Sequence, residues 1–174
     1  MVRFQVTEIP PGAQRQVNDI HGRPITVQIE ALGNQDRRMM QEVIDFIESR
    51  YDPEVFKVPL EGVLGACLSI GIVKTDHPSI GAYTGKEGSE SGRRLIIING
   101  RLFKVKDLRG RDELAITLLH EAMHAFDPDD VDKSANSVDE ARHDIRCYIA
   151  LGVNVPANHW GWKRLGVSPG SVSV

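Results

Sequence analysis

The sequence predicts a single α+β domain, in which a small mixed sheet packs against an early helix and two late helices. The chain has 174 residues, of which 41% are hydrophobic, and this is enough to bury one core. Short β-type runs dominate the first hundred residues, and two amphipathic helical patterns follow them. Such a separation of strands from helices is typical of the α+β class. We therefore expect residues 1–174 to form one domain.

The first hundred residues are predicted to contain a strand pair, a helix and further strands. Arg23 to Leu32 alternate apolar and polar side chains, which indicates a half-buried strand, and RFQVTEI before it suggests a hairpin. A helix is expected next, with Asn34 as its N-cap and Pro53 as its stop. Three further strands are expected in the segments VLGACLSIGIV, SIGAYTG and RRLIIING.

Two helices are predicted to close the fold. The first begins near Asp112 and ends by Phe126, because Pro128 disfavours the helical conformation at the preceding residue. The second is VDEARHDIRCYIAL. The rest of the chain is rich in turns, and we expect Trp160 and Trp162 to pack back on the body.

Composition excludes several classes of partner. The net charge is −3 and no basic stripe is present, so nucleic acid is not expected as a partner. No apolar run is long enough to span a bilayer, so we expect no membrane partner. The N-terminus lacks the apolar segment of a secretory signal, which predicts a cytoplasmic protein, with a non-classically exported effector or toxin as the alternative. The sequence leaves the oligomeric state unassigned.

The segment LLHEAMHAFD contains two histidines four residues apart. Residues at i and i+4 lie on one helical face, so His120 and His124 can bind one small cation. Zn²⁺ is the expected ion, because it takes neutral imidazole nitrogens in a tetrahedral arrangement. Glu121 lies about 100° around the helix from His120, where it can act as the general base for a metal-activated water.

A catalytic zinc takes three protein ligands, so a third ligand is needed. Glu140 is the first candidate. Asp144, one turn later on the same face, can accept a hydrogen bond from the second ring N–H of a ligating histidine and so orient it. The alternative for Glu140 is a capping box with Ser137, since the two residues spell S-x-x-E. Asp130, Cys67 and His143 are the other candidates for the third ligand.

The motif H-E-A-M-H followed by E140-A-R-H-D144 resembles the gluzincins, zincin metalloproteases whose third ligand is a glutamate on a second helix. The short spacing is similar to that of lethal-factor-like and other small single-domain zincins. The resemblance covers residues 79–151 and implies a zincin-like fold, in which a small mixed sheet packs on the HExxH helix. Cys67 lies in GACLSIG, which resembles the E-G-C-L-S segment of peptide deformylases, although those enzymes have an aspartate where this chain has Met123.

The zincin resemblance also implies a substrate-binding edge strand and an oxyanion-stabilising side chain. SIGAYTG is the candidate strand, with Gly81, Ala82 and Tyr83 as substrate-binding residues. A plain core hairpin is the alternative for this segment. Lethal-factor-like enzymes have a tyrosine seven residues before the ligand glutamate, but Lys133 is at that position here. Tyr148 and His159 are therefore the candidates for this catalytic role.

The sequence thus predicts a zinc metallopeptidase, an endopeptidase acting on a peptide or protein substrate. One alternative is a deformylase-like metal amidase with Cys67 as ligand. The other is a non-catalytic, metal-binding interaction module.

Overall fold

The structure is a computed structural model that describes residues 6–18, 23–64, 68–73, 82–85, 95–103, 108–126 and 137–170. The strands are β1 (Val6–Glu8), β2 (Gln14–Asn18), β3 (Pro24–Gln28), β4 (Leu68–Val73), β5 (Ala82–Gly85) and β6 (Leu95–Asn99). The helices are α1 (Asn34–Arg50), α2 (Pro53–Phe56), α3 (Leu60–Leu64), α4 (Leu108–Phe126), α5 (Val138–Ala150) and α6 (Trp160–Leu165). A 3₁₀ turn, Gly100–Phe103, follows β6.

The described strands form a four-stranded mixed sheet and a separate hairpin. The strand order of the sheet is β1-β4-β6-β5. β1 and β6 both run parallel to β4, with Val6 opposite Leu68 and Ile70 opposite Ile96, whereas β5 is antiparallel to β6. The hairpin pairs β2 with β3.

The predicted pairing of RFQVTEI with the strand at residues 23–32 is wrong. β1 instead joins the main sheet, and the partner of β3 is β2, a strand that was not predicted from the sequence. A turn at residues 11–12, with Gly12 at φ 86°, lies between β1 and β2, so the chain changes direction before the hairpin begins. Glycine adopts this left-handed conformation without the steric cost that other residues meet.

The boundaries of two predicted helices and of one predicted strand also differ from prediction. Gly33, not Asn34, is the N-cap of α1, and its backbone N–H donates to the Asp36 carboxylate (2.8 Å). The beginning of the predicted strand VLGACLSIGIV belongs to α3 instead, so β4 is shorter than expected. α4 begins at Leu108, four residues before the predicted start, and ends at Phe126 as expected.

Side chains on both faces of β6 are buried. Ile97 and Ile98 of β6 are fully buried, and because successive side chains on a strand point to opposite faces, they contribute to two different clusters. Ile98 packs with the helices, in a core that contains Leu114 and Leu118 of α4. Ile97 packs with hairpin residues such as Val27. Burial of each of these two isoleucine side chains stabilises the folded protein by about 1.5–3 kcal/mol.

α4 lies centrally in the helical layer, where it contacts α1, α5 and the β5 strand. α5 in turn packs against α6, a six-residue helix that was not predicted. The two tryptophans behave differently: Trp162 is 4% exposed and Trp160 is 39% exposed. None of the helices in the described ranges combines the length and the hydrophobicity needed to cross a bilayer.

Candidate metal centre

The candidate site lies where α4 and α5 face each other. His120 and His124 are one turn apart on α4. On α5, the residues at spacing i, i+3, i+4 and i+7 share one face, and they are Glu140, His143, Asp144 and Cys147.

Three donor groups converge between the two helices. Nε2 of His120 lies 2.9 Å from Nε2 of His124 and 2.6 Å from a carboxylate oxygen of Glu140. The other Glu140 oxygen is 3.3 Å from Nε2 of His124. Their side chains are only 10–17% exposed. The groups therefore present two nitrogens and a carboxylate toward one point.

This donor set fits zinc. In tetrahedral coordination at about 2.05 Å, ligand atoms lie about 3.3 Å apart. One observed separation equals this value, and the other two are shorter by several tenths of an ångström, as expected for groups joined by hydrogen bonds. A small outward movement of the side chains would accommodate the ion, and three protein ligands leave a fourth position open.

The capping alternative for Glu140 is met by its backbone, not by its carboxylate. Ser137 is the N-cap of α5, and its hydroxyl accepts a hydrogen bond from the Glu140 backbone N–H (3.0 Å). The carboxylate faces the two histidines of α4 instead. The backbone of Glu140 thus takes part in capping α5, while its carboxylate contacts His120 and His124.

Asp144 connects His120 to the C-terminal segment. One carboxylate oxygen is 3.0 Å from Nδ1 of His120, and the other is 2.7 Å from Nε2 of His159. A carboxylate can only accept, so both ring nitrogens donate to it. Because His120 donates through Nδ1, its Nε2 is directed at the donor cluster, the orientation that a metal ligand requires.

Opposing effects set the charges of this cluster. Burial disfavours the charged form of His120, but hydrogen bonds to Asp144 and Glu140 outweigh it and hold the pKa of His120 well above the usual value. Burial also opposes ionisation of Glu140, yet hydrogen bonds to His120 and His124 lower the pKa of that carboxyl below its usual range. The pKa of Asp144 is lowered in the same way, by His120 and His159.

His143, a candidate third ligand that could also have been a surface residue or a group supporting a ligand, is buried in the cluster, so the surface alternative is wrong. It is 6% exposed, and its Nε2–H donates to the backbone carbonyl of His120 (3.0 Å). Its ring stacks on that of His124, with centroids 4.3 Å apart. Burial, together with the charges of His120 and His124, lowers the pKa of His143 to about 3, so it stays neutral.

A second donor set shares His120. Donor atoms of His120, His143 and Cys147 all lie within 4.8 Å of one another, and two nitrogens with a sulfur also suit zinc. Cys147 is 0% exposed, so this set is closed to substrate. The Nδ1 atom of His120 is held by Asp144, which leaves one nitrogen for an ion, so the two sets are alternatives.

The candidate catalytic groups lie beside the cluster. Glu121 is buried (8% exposed), and its charge contributes to the raised pKa of His120. The ring of Tyr148 packs edge-on against that of His159, with centroids 5.3 Å apart. Both ring nitrogens of His159 are engaged, one by Asp144 and the other by the N–H of Gly161, so neither remains to bind an oxyanion.

The predicted substrate strand is at the end of the described sheet. β5 contains Ala82 and Tyr83, is antiparallel to β6 and contacts α4. Its position in the strand order leaves it with one hydrogen-bonded neighbour in that sheet. Gly81, Cys67, Asp130 and Lys133 lie outside the described residues.

Two residues around the cluster were not predicted from the sequence: Cys147 as a donor, and His159 as a partner of Asp144. The period of α5 carried a signal for Cys147, because it continues the face of Glu140, His143 and Asp144. No local pattern places His159 there, since its contact depends on how α6 packs on α5.

Comparisons of this chain with protein-family models, with curated proteins and with solved structures found no match. The resemblance to gluzincins therefore rests on the site residues and their spacing. The zincin-like α+β assignment likewise stays a prediction.

Proposed function

We propose that this protein is a zinc-dependent metallopeptidase of the gluzincin type, an endopeptidase acting on peptide or protein substrates. The observation that carries the proposal is the convergence of His120, His124 and Glu140, with Asp144 holding His120 in the orientation of a ligand. When bound, zinc would supply a Lewis acid that polarises a peptide carbonyl and makes water more acidic.

Glu121 is the proposed general base. It follows the first ligand on α4, and its burial beside the cluster places a carboxylate where bulk water does not fully solvate it. Its carboxylate takes a proton from the attacking water and passes it to the leaving amine. The base and the two histidine ligands thus come from about one turn of α4, which fixes their relative positions, while Glu140 is supplied by α5.

β5 is the proposed substrate-binding edge. An extended peptide can add to the outer side of an edge strand through main-chain hydrogen bonds. β5 contacts α4, the helix that carries the two histidine ligands and the base, and this contact supports β5 as the substrate-binding strand. Gly81, Ala82 and Tyr83 remain the residues proposed to contact it.

The test compares Glu121→Gln with the wild type and with Glu113→Gln, an exposed position on the same helix. We expect zinc to bind all three proteins in a 1:1 ratio. Cleavage of a diverse peptide library should fall by about 10²–10⁴-fold in Glu121→Gln alone, because only the base is lost.

Other outcomes would support the alternatives. Zinc-loaded wild type that cleaves no library peptide would indicate a non-catalytic metal-binding module. Hydrolysis restricted to N-formylated peptides would indicate a deformylase-like amidase. Equal activity in Glu121→Gln and wild type would remove Glu121 from the mechanism.

A further inference from the structure

The His159 side chain makes two hydrogen bonds and two aromatic contacts. Its Nδ1 accepts a hydrogen bond from the Gly161 backbone N–H (3.0 Å), and its Nε2 lies 2.7 Å from Asp144. Tyr148 packs edge-on against its ring, and Trp160 stacks on it with centroids 5.9 Å apart. The side chain is 7% exposed. Such a fixed imidazole suits a supporting role.

These contacts also fix the direction of each hydrogen bond. Because Nδ1 of His159 accepts from a backbone N–H, the ring proton is on Nε2 and is donated to Asp144. Asp144 then accepts from two donors, one on each oxygen, and the second donor is Nδ1–H of His120. The chain of hydrogen bonds therefore begins at the Gly161 N–H of α6 and ends at Nδ1 of His120, whose other ring nitrogen, Nε2, is the proposed ligand atom.

Close packing holds α6 against α5 at this point. A Cβ added to Gly161 would lie 2.9 Å from Cδ1 of Ile145 and 3.0 Å from Nδ1 of His159. Within the segment, the indole N–H of Trp162 donates to the carbonyl of Pro156 (3.0 Å). The absence of a side chain at Gly161 thus allows the approach that brings His159 to Asp144.

We propose that the C-terminal segment, residues 152–170, is part of the metal centre, with His159 as a positioning residue that acts on His120 through Asp144. This inference rests on the metal ligands of the proposed function. A ligating imidazole binds more tightly when its orientation is set beforehand, because less side-chain freedom is lost on binding. Docking of the segment and binding of the metal therefore stabilise each other, and this coupling is reciprocal.

Two substitutions of His159 separate positioning from helix capping. The amide of asparagine ends at the place of ring Nδ1, so His159→Asn can still accept from Gly161 but cannot reach Asp144. The amide of glutamine reaches the place of Nε2, so His159→Gln can donate to Asp144 but loses the cap. Trp162→Phe is the control, since it loses a hydrogen bond of the segment that does not involve Asp144.

Zinc affinity is measured by competition with a chromophoric chelator, and Co²⁺ absorption reports the ligand geometry. We expect His159→Asn to bind zinc about tenfold more weakly. Loss of a group that hydrogen-bonds a metal ligand typically lowers metal affinity by about 10–100-fold, and His159 is one residue further from the ligand. Its Co²⁺ spectrum should also change. His159→Gln and Trp162→Phe should bind zinc within about threefold of wild type, with lower melting temperatures than wild type.

Hydrogen exchange tests the reciprocal effect. Zinc should slow amide exchange in residues 152–166 of the wild type, and less so in His159→Asn. Wild-type affinity and spectrum in His159→Asn would overturn the proposal. So would weaker binding in His159→Gln with normal binding in His159→Asn, because that pattern indicates a cap.

These measurements do not depend on catalysis. A wild type that binds zinc but cleaves nothing, combined with weaker binding in His159→Asn, would refute the peptidase and leave the positioning role. A wild type that binds zinc and cleaves peptides, combined with unchanged binding in His159→Asn, would do the reverse. A wild type that binds no zinc would refute both.

Discussion

The two donor sets that share His120 differ in access and in chemistry. His120, His124 and Glu140 present nitrogen and oxygen donors that are partly exposed, whereas His120, His143 and Cys147 include sulfur and are almost fully buried. A catalytic ion needs an open position for substrate, and a structural ion does not. One pair of helices thus offers both kinds of site, and access is the property that separates them.

Removal of one donor from each set gives the largest expected difference. Glu140→Ala should weaken zinc binding by more than about a hundredfold, because it removes a metal ligand itself. Removal of a group that only hydrogen-bonds a ligand has a smaller effect. Cys147→Ser should leave the affinity within about threefold. The measurement is competition with a chromophoric chelator, on variants shown by circular dichroism to be folded.

The opposite pattern, with loss in Cys147→Ser and retention in Glu140→Ala, would assign the ion to the buried set. The proposed peptidase site would then lack its third ligand.

The buried set also predicts a pH dependence of the chelator-treated protein. Below pH 6.5 the His143 imidazole of the unfolded chain takes up a proton, while in the folded state the lowered pKa of about 3 keeps it neutral. The unfolded state therefore binds more protons, and stability falls as the pH falls, by up to about 1.4 kcal/mol per pH unit. The pKa values of Glu140 and Asp144 are also lowered in the folded state. These two carboxyls add to the loss of stability only when the pH falls below their ordinary pKa values of 4.5 and 3.8.

Urea unfolding between pH 6.5 and 4.5 isolates the contribution of His143. His143→Gln keeps an amide that can donate to the His120 carbonyl but does not titrate, so its stability should vary less over this range. An unchanged slope in that variant would show that His143 is protonated in the folded protein.

Asp144→Asn should weaken zinc binding at the open set by about 10–100-fold. An asparagine has one oxygen and one amide nitrogen, so it can accept from His120 or from His159 but not from both. Asp139→Asn, on the exposed side of the same helix, is the matched control and should bind zinc normally. Equal zinc affinities in the two variants would mean that the hydrogen bond from His120 to Asp144 does not contribute to metal binding.

Gly161→Ala should have the smallest effect. Its Cβ would press on Ile145 and His159, at a cost of about 1–3 kcal/mol in unfolding free energy, and zinc affinity should fall by a few-fold. Gly166→Ala is the control, because its φ of 68° strains any side chain although no atom lies within 4 Å of the added Cβ. It should lower the melting temperature without changing zinc affinity.

The parts of the molecule that follow from short-range periodicity could be predicted from the sequence. The i, i+4 spacing of His120 and His124, and the presence of Glu140 and Asp144 on one face of the next helix, follow from helical geometry alone. The end of α4 at Phe126 follows from the position of Pro128.

The parts that depend on distant contacts could not be predicted in this way. β1 and β4 are more than fifty residues apart, and no local pattern in RFQVTEI distinguishes a parallel partner from a hairpin. The burial of His143 depends on the packing of α5 on α4, and the position of His159 depends on α6, which is too short for a clear hydrophobic period.

The place of His120 between two carboxylates has a consequence for how an ion enters. The hydrogen bonds to Asp144 and Glu140 that hold the pKa of His120 well above its usual value favour its protonated form in the chelator-treated protein. A ligating imidazole must be unprotonated, so zinc uptake displaces that proton into the solvent. The measured heat of binding should therefore change with the ionisation enthalpy of the buffer, and acid should compete directly with the metal.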